Sequence, residues 1–430
     1  MSTAGGVAGP VPQHLLPDGA TVGDAGQLLI AGCDTLELAR DFGTPLFVYD
    51  EAHLRARCRE AVTAFGAGAT YAAKAFLCRA MARLAHEEGM AIDVATGGEL
   101  AVALAADVPP SRLHMHGNNK SQGELRAAMA AGVGRIIVDS FDELDRIEAL
   151  VATGAPVPTV LLRVTPGVKA ETHEFVATGH DDSKFGFTVS SGLADRAVQR
   201  AAASSAVQLV GIHAHIGSQV FEAESFAKAL QVLADFTGPL GLPELVVGGG
   251  LGVPYVQGEE APSITEWAAH LHGAADRLGI TAALGVEPGR AIAAGAAVTL
   301  YTVGTIKALP GIRTYVAVDG GMSDNPRPVL YGSGYETFLP RAVLADRPHR
   351  VRVVGKHCES GDILVREGAV PADLAVGDLL ATPVTGAYGQ AMGSNYNKVL
   401  RPAVLFCRDG DARLVVRRET PEDLLATDVG

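Results

Sequence analysis

The chain has 430 residues, 48% hydrophobic and 19% charged, which is ample for one large domain plus a smaller one and excludes a disordered chain. Its 35 Lys and Arg stand against 48 Asp and Glu, a net charge of −13, which argues against nucleic acid as the main partner because phosphate neutralisation needs a basic face. Five scattered cysteines without a CxxC pair fit a reducing compartment, and no apolar run is long enough to span a bilayer, so no membrane partner is expected. Residues 1–11 are small and Gly-rich, without a charged region followed by an apolar one; they read as a flexible leader, with the cytoplasm as the expected location.

From Thr70 onward short apolar runs alternate with helix-patterned stretches. Run 70–75 precedes 79–88; 91–95 precedes 98–106; 112–116 precedes 121–131, where Ser121 and Glu124 form a capping-box pattern; 135–139 precedes 141–151. Run 159–164 is followed by an insertion and a helix near 193–203, 207–215 by 223–235, 245–247 by 264–278, and 282–286 closes the series. Eight strand–helix repeats predict a (β/α)8 TIM barrel. A doubly wound open sheet is the alternative; the eightfold count and the lack of a GxGxxG turn after the first strand favour the barrel. After Ala291 the runs 297–306, 314–318, 350–354 and 412–417, separated by turns, predict a C-terminal antiparallel β domain, which the strand-like 27–30 joins. The expected organisation is therefore an N-terminal segment 1–45 joining the β domain, a barrel 46–297, and a β domain 298–430.

Active sites of such barrels lie at the C-terminal ends of the strands, and polar residues cluster there. Strand one ends at Lys74, strand two carries Asp93, strand three ends at His116-Gly117-Asn118 and strand five carries Arg163. Strand six ends at His213-Ala-His215-Ile-Gly-Ser218, strand seven at Gly248, Gly249 and Gly250, and strand eight at Glu287-Pro-Gly-Arg290. Taken singly each has an ordinary reading. Lys74 could snorkel into solvent, the glycines could mark a turn, Arg290 could pair with Glu287, and His215 could be a satisfied core histidine. Convergence on one rim weighs against those readings together. A lysine amine can take an aldehyde cofactor as a Schiff base, and a carboxylate such as Glu287 can keep a pyridine nitrogen protonated. Glycine amides, Ser218 and Arg290 can bind a phosphate, and His215 can stack on a ring. Lysine, acid and phosphate cradle together point to pyridoxal 5′-phosphate; no metal is expected.

With these residues on the page, the chain resembles the diaminopimelate decarboxylases, of the alanine-racemase-like, fold type III class of pyridoxal-phosphate enzymes. The resemblance runs from Phe42-Gly-Thr-Pro-Leu-Phe-Val-Tyr49 to Ser394-Asn-Tyr-Asn397. It is carried by Tyr71-Ala-Ala-Lys74, His215-Ile-Gly-Ser-Gln219, the Gly248 triplet, Glu287-Pro-Gly-Arg290, Arg327-Pro-Val-Leu-Tyr331 and Gly355-Lys-His-Cys-Glu-Ser-Gly-Asp362. It implies decarboxylation of meso-diaminopimelate to L-lysine and carbon dioxide, the last step of lysine biosynthesis by that route. Lys74, Glu287, His215 and Cys358 would be catalytic, with Cys358 of the partner subunit the proton donor. Asp93, Arg163, Ser218, the glycine triplet, Arg290 and Tyr388 would join the cofactor site. Arg290, Arg327, Tyr331 and Tyr388 would bind substrate, the distal carboxylate falling to Arg290, Arg327 and Tyr331 together with Glu359 of the partner subunit, so a homodimer with shared active sites is implied. Phe76 stands where the family usually has Asn, and Thr96 where it usually has Ser.

Arg327 is the main reason for preferring diaminopimelate over ornithine or arginine, whose far ends are cationic. Carboxynorspermidine decarboxylation, a racemase and a catalytically dead cofactor-binding homologue are the competing readings. Residues 169–183, with His173, Asp181 and Asp182, are read either as an active-site lid or as a solvated loop.

Overall fold

A computed structural model describes residues 8–168, 181–215, 217–221 and 223–430, without the side chains of 223–225. The chain divides into two compact units, one formed by Arg57–Val253 with Ala261–Ala291, the other by 8–56, Pro254–Glu260 and Ile292–Gly430.

The first unit is a parallel barrel. Its strands are Thr70–Ala72, Ala91–Val94, Leu113–Met115, Arg135–Val138, Thr159–Thr165, Gln208–His213, Glu244–Val246 and Ala283–Gly285, hydrogen-bonded in sequence order. Closure decides against the open sheet. Ala69 bridges Val286 in parallel, Thr70 N–H donates to Val286 O at 3.0 Å, and Val286 N–H donates to Gly68 O at 2.9 Å. Several crossover helices are bounded by local chemistry. Ser121 and Glu124 form the expected capping box on Gln122–Ala131, Ser263 and Glu266 form another on Ile264–Leu278, and left-handed Gly132 and Gly279 end those helices. Thr96 accepts from Glu99 N–H at 3.2 Å and caps Gly97–Leu104, a task its hydroxyl performs as a serine would.

The second unit is a sheet in the order Ile363–Val370, His349–Val354, Arg313–Val318, Ala297–Leu309, Leu46–Asp50, Ala403–Arg408, Asp411–Val416, with Leu379–Pro383 also pairing Ala297–Leu309. It is mostly antiparallel; Arg313–Val318 with His349–Val354, and Leu46–Asp50 with Ala403–Arg408, are parallel pairs. Ala297–Leu309, 13 residues long, serves two sets of partners, its first half pairing Leu379–Pro383 and Leu46–Asp50 and its second half Arg313–Val318, with a register shift between Val303 and Thr305. A small sheet of Ala20–Val22, Leu28–Ile30 and Cys33–Asp34 seats Leu28 and Ile30 in one core with Leu46, Val48, Leu300 and Leu405. The domain boundaries expected from sequence need correction here. Leu46–Asp50, assigned to the start of the barrel, is an inner strand of this sheet, and 254–260 also belongs to this unit. All five residues of Leu46–Asp50 are buried, a pattern shared by barrel strands and by inner strands of a covered sheet, so burial pattern alone does not separate them.

Candidate active site

Lys74 does not lie within its strand. The strand stops at Ala72, and Lys74 sits exposed on one 3-10 turn, Ala73–Ala75, which lifts the amine out of the wall. Its charge acts on both Glu99 and His215. Phe76 is fully buried, and Tyr71 donates its hydroxyl to Phe76 O at 2.7 Å.

The inward-facing residues of the middle strands form one charge cluster. Strand register sets Asp93 beside His114 and His213 beside Arg163. His116 Nε2 lies 3.1 Å from Asp93 Oδ1 and 3.3 Å from Glu287 Oε1. His213 Nε2 lies 2.9 Å from Glu287 Oε1, and its ring meets that of His116 edge-on at 5.0 Å. Burial alone would raise the Glu287 carboxyl, but the two imidazoles outweigh it and hold the acid well below the usual carboxylate range. Burial likewise works against charge on His116, yet Asp93 and Glu287 raise it to about 9. His213 is pushed down by burial, and its Nδ1 is buried without a partner, as a neutral ring donating through Nε2 requires. Arg163 packs 4.1 Å over the Phe185 ring, with Nε 3.7 Å from Asp139.

At the ends of strands six to eight, Arg290 Nη2 donates to Ser218 Oγ at 2.8 Å. Gly249 N–H donates to His215 Nδ1 at 3.2 Å, leaving the ring proton on Nε2. Burial first, then the Lys74 and Arg163 charges, drive His215 well below its ordinary value, so the ring is neutral. The glycines cannot be replaced without movement. A Cβ on Gly248 would fall 2.6 Å from His215 Nδ1, and Cβ atoms on Gly249 and Gly250 would collide with the Glu287 and Gly217 carbonyls. Beneath strands three and four, fully buried Lys120 reaches Glu143 at 2.8 Å and the Gly117 and Ile137 carbonyls at 2.7 Å. Burial pushes Lys120 down and Glu143 up, so each depends on the other for its charge.

The remaining predicted residues lie in the β unit. Arg327 and Tyr331 begin and end one short helix, Arg327–Tyr331, whose Pro328 is tolerated in the first turn and whose end is set by left-handed Gly332. Arg327 is buried; Tyr331 and Tyr388 are half-buried, and Tyr388 adopts a left-handed φ of 60°. Cys358 and Glu359 are exposed on a loop braced from behind. There Asp362 accepts from His357 N–H at 2.9 Å and Met322 N–H at 2.6 Å. Asn397 Oδ1 accepts from Cys358 N–H at 3.3 Å, and His357 Nε2 pairs with Ser323 Oγ at 2.8 Å. Ile216 of the His215 motif and residues 169–180, including His173, lie outside the described residues. Asp181 accepts from Ser190 Oγ at 2.9 Å, and Asp182 is exposed.

The family model for the pyridoxal-binding domain of pyridoxal-dependent decarboxylases matches residues 51–294. Diaminopimelate decarboxylase of Mycobacterium tuberculosis is 49% identical, with 97% of this chain and 98% of that one covered. That of Bacillus subtilis is 44% identical over 94% and 95% of the two chains. The crystal structure of diaminopimelate decarboxylase from M. jannaschii in co-complex with L-lysine superposes with a TM-score of 0.88 at 31% identity, covering 96% and 98%. The chain belongs to the diaminopimelate decarboxylase family.

This decarboxylase is built to suit the cofactor of its family. The glycine triplet lets the backbone pass close to the ends of strands six and eight where no side chain fits, the Ser218–Arg290 pair adds a hydroxyl and a cation, and Glu287 is an ionised carboxylate fit to face a pyridinium. Within one barrel Asp93 and Glu287 meet through His116, Ser218 pairs with Arg290 and His215 with Gly249, whereas Lys74 and Arg163 act on His215 through charge. His116 and His213 were visible as strand-end residues, but nothing in the sequence marked them as the partners of Glu287. Their signal is positional, since both are buried at the C-terminal ends of their strands. Tyr255 and Tyr335, which hold Arg327, carried no signal of their own.

Proposed function

We propose that this chain decarboxylates meso-diaminopimelate to L-lysine and carbon dioxide with pyridoxal 5′-phosphate, as a cytoplasmic homodimer. The observation that carries the reading is the Glu287 carboxylate, kept ionised in a buried site by two imidazoles on the same barrel that presents Lys74. When bound, the cofactor supplies an aldehyde that condenses with an amine and a pyridinium that accepts the electron pair of the breaking C–C bond.

The residues divide the remaining work. Lys74 Nζ would hold the cofactor and give way to the substrate amine. Glu287 would keep the ring nitrogen protonated, and neutral His215 would pack against the ring without adding charge. Asp93 acts through His116, and Arg163 adds a cation to the same cluster. The Gly248, Gly249 and Gly250 loop, Ser218, Arg290 and Tyr388 would grip the phosphate. Arg290, Arg327, Tyr331 and Tyr388 orient the substrate, with Arg327 on the distal carboxylate and Glu359 of the partner subunit near the distal ammonium. Cys358 of the partner subunit moves its Sγ proton to the carbon that has lost carbon dioxide. Exposure of Cys358 and Glu359 on a braced loop of the single chain supports their being offered to another copy. Five cysteines outside any disulfide support a reducing compartment.

The test is lysine and carbon dioxide released from meso-diaminopimelate by purified protein with added pyridoxal phosphate, beside Lys74→Ala. Equimolar lysine and carbon dioxide from the wild type, with none from the variant, is the expected result. Cofactor absorbance that depends on Lys74 without any lysine would overturn the substrate assignment.

A further inference from the structure

Arginines in the β unit are satisfied in two different ways. Arg347, 2% exposed, is a structural arginine. It pairs with Glu336 at 2.8 Å and also donates to the Gly9, Pro10 and Thr337 carbonyls. Arg327, 4% exposed, is as deeply buried and has no such set. Its Nη1 donates to Tyr335 OH at 2.6 Å, and its guanidinium carbon lies 3.9 Å above the Tyr255 ring. Those two rings pack edge to face at 5.3 Å, so each fixes the other. Among the described residues no acid pairs with Arg327, and the groups acting on its charge are tyrosines. Its Nε is buried with no hydrogen-bond partner. A desolvated N–H without an acceptor is uncommon enough to ask for a ligand.

We propose that Tyr255 and Tyr335 are positioning residues that hold Arg327 as a buried cation without a counter-ion, reserving its Nε edge for the distal carboxylate of the substrate. The inference rests on the reading of Arg327 given above. A ring face and a hydroxyl stabilise the guanidinium without cancelling its charge. Because Tyr335 occupies Nη1, the edge left open is Nε with Nη2, the pair of parallel donors that takes a carboxylate in bidentate fashion. An acid in either tyrosine's place would satisfy the arginine permanently and compete with the substrate. A substrate whose far end carries only an ammonium would meet an uncompensated cation.

The experiment measures kcat and KM for meso-diaminopimelate, with pyridoxal phosphate absorbance as a check on the fold, in Arg327→Ala, Tyr335→Phe, Tyr335→Glu, Tyr255→Leu and Tyr255→Phe. Arg327→Ala should raise KM by about 100-fold, and Tyr335→Phe and Tyr255→Leu by about tenfold with kcat within about twofold. Tyr255→Phe keeps the ring face and should restore KM to within about twofold of wild type. Tyr335→Glu should raise KM more than Tyr335→Phe, because it supplies the missing counter-ion. Unchanged KM in Tyr335→Phe and Tyr255→Leu beside a raised KM in Arg327→Ala would overturn the inference and leave the Arg327 reading standing. Unchanged KM in Arg327→Ala would overturn that reading itself. Joint loss of kcat and cofactor absorbance in Tyr255→Leu, unrescued by Tyr255→Phe, would make the tyrosine merely structural.

Discussion

In the barrel, Glu287 meets two imidazoles within 3.3 Å, and the His116 imidazolium in turn meets two carboxylates; in the β unit, Arg327 meets two tyrosines and, among the described residues, no acid. Both regions bury charge, but they solve its cost differently. The barrel cluster is compensated within itself, so its protonation is set before any ligand arrives. The Arg327 pocket carries its cation only partly compensated and is completed by an anion. A cofactor that stays through many turnovers suits the first arrangement, and a substrate that must enter and leave suits the second.

The sharpest way to break the comparison is to remove charge from the compensated cluster. Glu287→Gln keeps the shape and one acceptor but ends the ion pairing with His116. The value of about 9 for His116 should then fall, since Glu287 is one of the two acids that raise it. We expect kcat to drop about 10³-fold, with KM changed by less than about fivefold, because the group acts on the developing charge rather than on binding. A kcat within tenfold of wild type would remove Glu287 from the chemistry.

How much of this cluster could be read from sequence depends on what holds each residue there. Glu287 and Arg290 announce themselves because Glu-Pro-Gly-Arg closes a strand, and a strand end in a barrel is a site position. Lys74 announces itself as the lysine after an apolar run, although its lift onto a 3-10 turn does not show. His116 just past strand three and His213 at the end of strand six meet only because the barrel closes, so no local pattern pairs them. The same holds for Tyr255 and Tyr335, two ordinary aromatics from separate segments. Leu46–Asp50 was misassigned for a related reason: hydrophobicity reports burial, whereas its neighbours, Ala297–Leu309 and Ala403–Arg408, lie far along the chain.

A second test asks what compensation costs to lose. Lys120→Met leaves Glu143 buried with its cation gone and frees the Gly117 and Ile137 carbonyls. Breaking a buried pair from one side costs about 3–5 kcal/mol. Denaturant unfolding of Lys120→Met should show a loss of that size, and the double variant Lys120→Met with Glu143→Leu should recover most of it. A loss below about 1 kcal/mol in the single variant would show that the pair contributes little.

The β unit holds its own internally strained charge, and pH exposes it. Asp324 is buried and accepts from Tyr301 OH at 2.6 Å and Gly321 N–H at 2.7 Å, with Asp362 and Asp319 acting on it. Burial, reinforced by the two acids and only partly offset by the hydrogen bonds, raises its carboxyl to about 7 from 3.8. The folded state therefore keeps a proton that the unfolded state releases between those values. Its stabilising effect is complete below 3.8, is lost as pH rises toward 7, and is flat above that. Unfolding free energy should fall by about 4 kcal/mol across this window, and Asp324→Asn should abolish the slope. An unchanged slope in Asp324→Asn would assign it to another group.

The smallest effect is the one that most sharpens the contrast. Arg327→Met removes a buried cation without stranding an acid, since among the described residues no carboxylate pairs with it. What is lost is one hydrogen bond to Tyr335 and a cation–π contact; what is gained is relief from desolvating a charge. These oppose one another, so substrate-free stability should change by less than about 1 kcal/mol in either direction, while the same variant loses substrate affinity. Thermal unfolding of wild type and Arg327→Met, each with and without saturating L-lysine, measures both sides at once. L-lysine lacks one of the two carboxylates of diaminopimelate, so any stabilisation it gives that depends on Arg327 must come from its single carboxylate seated on that fork. A destabilisation as large as that of Lys120→Met would mean that Arg327 is a structural charge like Arg347, and the distinction between the two regions would collapse.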